Sequence, residues 1–189
     1  MKSLKRIGSE PMSLALSADD IVEFHAARLL LLFRICGVSN RIDGLTKMAK
    51  LDFFVRYPDF FQAAKAAVAP DADPGDTSNA IVEATEAAMV RHHYGPWDKR
   101  YYQVLASLES RRLIEVTKEK SSYRLSLTAT GKERADLLAK TVSFTPVVAR
   151  MKDVKRVFGG KSGDYLKRLI YRLFDTEVGQ REMGKVITK

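Results

Sequence analysis

Few side chains in this sequence have a spacing that could do chemistry, and each must be weighed against the element that would carry it. Gly160-Lys161-Ser162 has the ending of a phosphate-binding loop. Such a loop also needs a glycine five positions before Gly160 and a strand leading into it, whereas this chain has Lys155 there and a helical pattern in front. A turn between two helices is the expectation. His92 and His93 invite a metal reading with Glu86 and Asp98 nearby, but neighbouring side chains on a helix point about 100° apart and do not converge on one ion. His25, alone on an apolar segment, reads as a structural histidine. Cys36 is the single cysteine and lies in a leucine-rich run, so it reads as a small hydrophobe with no recognisable base to activate it. The Asp19-Asp20 pair suits a helix N-terminus better than acid–base work. These residues lead to the expectation of a non-catalytic chain with no cofactor and no metal.

Charge carries more information. Of 189 residues, 32 are Lys or Arg and 23 Asp or Glu, giving a formal net charge of +9, and residues 98–189 hold 21 of the bases against 11 of the acids. A clustered positive surface attracts a phosphate backbone by releasing counterions; the alternative is a solvated face that keeps the protein soluble. Candidate nucleic-acid contacts are Lys99, Arg100, Arg111, Arg112, Lys118, Lys120, Arg124 and Lys132. The densest aromatic and basic mixture is Pro96-Trp97-Asp98-Lys99-Arg100-Tyr101-Tyr102. Its helical spacing assigns the three aromatics to a core and leaves Lys99 and Arg100 facing phosphate.

The elements that must position these groups are mainly helical. Residues 1–16 are unpatterned and read as an arm. Ser17-Ala18-Asp19-Asp20 reads as a helix start, followed by Ile21, Phe24, Leu31 and Ile35 at helical spacing in a helix apolar enough to be largely buried. Arg28 and Arg34 bracket its leucines, and the uncharged stretch is far short of the roughly 20 residues a bilayer needs. No secretion signal is expected at the N-terminus, and the chain is expected to be cytoplasmic. Residues 43–61 suit two short helices joined tightly, with Pro58 stopping the second. An acidic loop over 69–78 precedes an expected helix over 79–92, which the residues from His93 to Trp97 break. Asp98 is placed to cap a helix carrying Tyr101, Leu105 and Leu108. Alternation over 113–117 and 123–127 around a polar turn gives a hairpin, and Thr128 to Gly131 cap a new helix. After Pro146, Val147, Met151, Val154, Leu166, Leu169 and Ile170 mark two amphipathic helices around Gly159-Gly160, able to cap the core or to dock a partner.

Helix, strand, basic hairpin and strand in that order predict a mainly α fold: a winged helix-turn-helix over residues 17–145 with a small β-hairpin wing and a C-terminal helical extension over 146–189. The run Leu45-Thr46-Lys47-Met48-Ala49-Lys50-Leu51-Asp52-Phe53-Phe54-Val55-Arg56-Tyr57-Pro58, the segment Tyr94-Gly95-Pro96-Trp97-Asp98, and the wing followed by Thr128 to Gly131 carry a resemblance. On them the chain resembles the winged-helix middle component of bacterial three-component SMC-like ATPase anti-phage systems, including the Lamassu-type small subunit. It implies an accessory subunit that joins an SMC/Rad50-like ATPase to an effector subunit, with DNA contact direct or through the complex, no membrane association, and homodimerisation as an option. The competing reading is a free-standing dimeric winged-helix transcriptional regulator. A third is an enzyme whose active-site residues are scattered along the chain.

Overall fold

The computed structural model describes residues 21–68, 89–119, 122–180 and 182–187. The expected arm over 1–16, the helix start at Ser17, the acidic loop, most of the helix expected over 79–92, and Lys120 lie outside the described residues.

The fold is mainly helical with a small antiparallel sheet. Helix α1 (Val22–Cys36) carries Leu29, Leu30, Leu31, Leu32 and Phe33 in succession, all at most 2% exposed, so it is buried around its whole circumference. A turn with Ser39 and Asn40 at positive φ leads to strand β1 (Arg41–Asp43). Helix α2 (Leu45–Arg56) is a second central helix, with every residue from Met48 to Arg56 buried. The two short helices expected over 43–61 are one helix of 12 residues, and the next, α3 (Pro58–Val68), begins at the proline expected to stop it. The physical reason is positional. A proline lacks an N–H that the first turn of a helix leaves unpaired anyway, and its fixed φ already suits a helix start.

Residues 90–92, expected to be helical, form β2 (Val90–His92), which pairs antiparallel with β3 (Gly95–Trp97) across a two-residue turn at His93 and Tyr94. Gly95, at φ +93°, supplies the backbone conformation that a side chain would oppose. The segment near 184–187 joins this hairpin: Arg91 N donates to Lys185 O, and Ile187 N to Met89 O. Pairing across the length of the chain outweighs local helical preference here.

Helix α4 (Tyr101–Ser110) leads into the hairpin of β4 (Ile114–Glu119) and β5 (Ser122–Leu127), whose limits lie close to those the alternation predicts. The sheet order is β1-β5-β4, with Ile42 opposite Leu125 and Leu125 opposite Val116 on the inner face. Helix α5 (Ala129–Ala139) starts where the hydroxyls place it: Thr128 Oγ1 accepts from Gly131 N at 2.9 Å and donates to Arg112 O at 2.7 Å. Helices α6 (Thr145–Phe158) and α7 (Gly163–Leu173) pack on α1 and α2, and Met151, Val154, Phe158, Leu166 and Ile170 belong to the same continuous core as the leucines of α1. Gly160-Lys161-Ser162 is the turn between them, Ser162 Oγ accepting from Tyr165 N at 3.1 Å to cap α7. No helix among the described residues is long and apolar enough to cross a membrane.

Candidate nucleic-acid and partner interface

The basic residues singled out by sequence fall into three separate places. Lys99 and Arg100 stand just before α4. Arg111 and Arg112 close that helix, with Lys132 on the neighbouring α5, and Lys118 and Arg124 lie on the β4–β5 hairpin. Their electrostatic situations differ. Lys99, Arg112, Lys118 and Lys132 are exposed and make no ion pair among the described residues. Arg111 reaches Glu23 at 3.8 Å, with both side chains exposed. Arg100 is turned inward onto Asp98, at 3.0 Å through Nε and 2.9 Å through Nη2. Arg124 is held by Asp43 and Glu119, the latter at 2.5 Å, on the outer face of the sheet, where Arg41 also pairs with Asp43. That face is charge-balanced and not a bare basic wing. The exposed side of α4 carries Tyr102, Gln103, Ala106, Glu109 and Ser110, and so holds no cation.

Behind Arg100 runs a buried chain of charges that sequence reading missed. Arg28 on α1 grips Asp52 on α2 with two hydrogen bonds, Nε to Oδ1 at 2.9 Å and Nη2 to Oδ2 at 3.2 Å. Tyr101 on α4 donates its hydroxyl to Asp52 Oδ2 at 2.7 Å. Arg56, one turn after Asp52, donates to Asp98 Oδ2 at 2.8 Å, and Asp98 also accepts from the Arg100 backbone N–H at 2.9 Å. Arg28, Asp52, Arg56 and Asp98 are all at most 6% exposed. Alternating signs let each charge satisfy its neighbours away from water, and the chain ties the start of α4 to both central helices. Asp98 thus anchors α4, two residues further from the helix than a conventional cap. Burial alone would raise its carboxyl; the hydrogen bonds and charges of Arg100, with Arg56, outweigh this and hold it well below the usual carboxylate range. Burial and then Asp52 push the Tyr101 phenol well above its usual value. The only advance signal was polar residues, Asp52 and Arg56, sitting one turn apart inside an apolar run.

Three further buried groups have clear surroundings. Lys50, on α2, donates to Pro96 O at 3.0 Å, and burial, then the Lys167 charge, lower its ammonium to about 7. Cys36 lies fully buried against Met151 O at 3.3 Å; burial pushes its thiol up to about 12, with Lys155 opposing, so it packs as the hydrophobe its run suggested. His25, also buried, sits 3.0 Å from Arg28 Nη1 through Nδ1, a structural role.

An open groove of about 540 Å³ lies between α1, the end of α4 and α5. Its floor is Ala26, Ala27, Leu30, Leu108 and Leu138, with Glu23, Arg111 and Arg134 around it, and Leu137 on its wall is 58% exposed. The three aromatics assigned together to a core separate: Tyr101 is 1% exposed, Trp97 is half-buried, and Tyr102 stands 63% exposed. Their spacing fits a helical face only if all three are helical, but Trp97 lies in β3. Comparison with protein-family models, with curated proteins and with solved structures finds no match.

Proposed function

We propose that this chain is a non-catalytic winged-helix accessory subunit of an SMC/Rad50-like ATPase complex of the anti-phage type, joining the ATPase to an effector subunit and contacting DNA within the complex. Support for the winged helix comes from connectivity. A helix, a short strand, a second helix, then the α4 helix and a hairpin whose far strand lies between the other two in the order β1-β5-β4 support that reading, with α3 and the β2–β3 hairpin standing before α4. The observation that carries the subunit reading over the free-standing regulator is a contrast between two surfaces. A regulator reads an operator with its recognition helix and wing, yet the exposed side of α4 has no cation and Arg124 on the wing is neutralised by Asp43 and Glu119. The α1–α4–α5 groove, by contrast, leaves Leu137 exposed on an apolar lining, as a surface kept for a protein partner does.

The DNA contribution then falls to the exposed Lys99, Arg112, Lys118 and Lys132, which act as phosphate contacts and do not specify sequence. The experiment is a charge reversal of Lys99, Arg112, Lys118 and Lys132 read by salt-dependent DNA binding of the complex. A weaker, flatter salt dependence supports the contact, and unchanged binding reduces these residues to a solvated face.

A further inference from the structure

The β2–β3 hairpin and the first turn of α4 put an exposed row of rings beside lysines. Tyr102 lies 5.6 Å from Trp97, Trp97 lies 5.6 Å from His92 at an interplanar angle of 31°, and His92 lies 5.1 Å from His93. Tyr94, at the hairpin turn, is 58% exposed with Lys167 Nζ 5.7 Å from its ring centre. The row is held from beneath: the Trp97 ring meets Tyr101 edge-on at 5.0 Å, and Tyr101 is fixed by its hydrogen bond to Asp52. Tyr94 and Tyr102, both exposed, and the half-buried Trp97 concentrate aromatic surface on one hairpin and the helix turn that follows it.

Charge selects the occupant. Lys99, two residues after Trp97, is exposed and makes no ion pair among the described residues, while Asp98 beside it is engaged by Arg56 and Arg100. Burial, then His93 and Lys50, push His92 below the usual histidine range, so at neutral pH its ring offers an uncharged face. Flat π-faces spaced along a surface with lysines at its edge match a strand whose bases are free to stack and whose phosphates run alongside; a duplex keeps its bases stacked inside and offers these rings nothing. We propose that Trp97 and Tyr102, with Tyr94 at the neighbouring hairpin turn and Lys99 beside them, form a binding platform for unpaired bases of single-stranded nucleic acid. The platform is distinct from the wing and does not depend on which protein the chain joins.

Trp97 is the single tryptophan of the chain, so its fluorescence reports the platform directly. The test titrates the full chain with oligothymidylate of about 15 nucleotides, a length that spans one binding surface of this kind, and with a blunt duplex of equal length. The expected result is quenching of Trp97 by the single strand, tighter binding than to the duplex, and a loss of about tenfold for each of Tyr94→Ala and Tyr102→Ala, with Tyr102→Phe retaining affinity because the ring is kept. Both tyrosines are exposed, so these variants leave the core intact, and circular dichroism checks that. Binding without Trp97 quenching, binding indifferent to both alanine variants, preference for the duplex, or equal competition by polyglutamate would each overturn the proposal, the last in favour of an acidic protein.

Discussion

Tyr101 and Asp52 meet at 2.7 Å in a site where the tyrosine is 1% exposed and the aspartate fully buried. This contact couples the packing of α4 to a charge on α2. Replacing Tyr101 with Phe removes a donor to a buried carboxylate while keeping the ring, and is expected to cost about 1.5–3 kcal/mol. Asp52→Ala leaves Arg28 without its bidentate partner and is expected to cost about 3–5 kcal/mol. Chemical denaturation with urea reads both; a loss below about 0.5 kcal/mol for Asp52→Ala would show that the chain of charges contributes nothing to the fold.

Asp98 links this network to pH. Its carboxyl is depressed in the fold, so the stabilisation it gives is fully present above its unfolded value near 3.8 and is lost as pH falls through the lower folded value. Wild-type stability is therefore expected to fall below about pH 4 more steeply than that of Asp98→Asn, measured as urea midpoints across acid pH. Parallel curves would contradict the assignment.

Lys50 also makes stability rise with pH, but for the opposite reason: here the charged form is the one the fold disfavours. Its folded value near 7 lies below the ordinary lysine value of 10.5, so between these limits the unfolded chain binds the extra proton and stability rises with pH, at a rate approaching about 1.4 kcal/mol per pH unit. Below pH 7 both states are protonated and the cost of the buried ammonium is complete. Lys50→Met is expected to gain on the wild type most at pH 6 and least near pH 10. A stability difference that does not change over this range would mean that the ammonium is not desolvated.

Gly131 lies within α5, where alanine normally favours a helix. A Cβ at this position would run into Leu113 O, because the start of α5 rests on the backbone entering β4. Gly131→Ala is expected to destabilise by about 1–3 kcal/mol, the usual cost of overpacking, with a matching drop in melting temperature. Stabilisation, the ordinary outcome of a helical Gly→Ala change, would show that the two segments separate freely.

The parts of this fold legible in the sequence are those set by short-range pattern. The alternation of 113–117 and 123–127 and the hydroxyl cap at Thr128 need only neighbouring residues, and they stand close to where the pattern put them. Pro58 was misread because the same proline can end a helix or begin one, and the choice depends on how α3 packs. Strand β2 was misread as helix because its partners, β3 and the segment at Lys185 and Ile187, lie outside any local window. The basic residues were countable, but their pairing was not. Arg124 is matched by Asp43 from a distant strand, and Arg100 is drawn inward by a carboxylate buried against Arg56. Tyr102 was assigned to a core because Trp97 was counted as helical.

The most direct test of the subunit reading is gel filtration with light scattering of the chain co-expressed with an SMC/Rad50-like coiled-coil ATPase, the partner class proposed for it. Leu137, on the groove wall, is 58% exposed, so Leu137→Glu changes the surface and leaves the core packing in place. The account predicts co-elution with the ATPase for the wild type and separation for Leu137→Glu, with the circular dichroism of the two chains the same. A chain that elutes alone as a homodimer and selects one operator sequence would contradict it and establish the free-standing regulator instead.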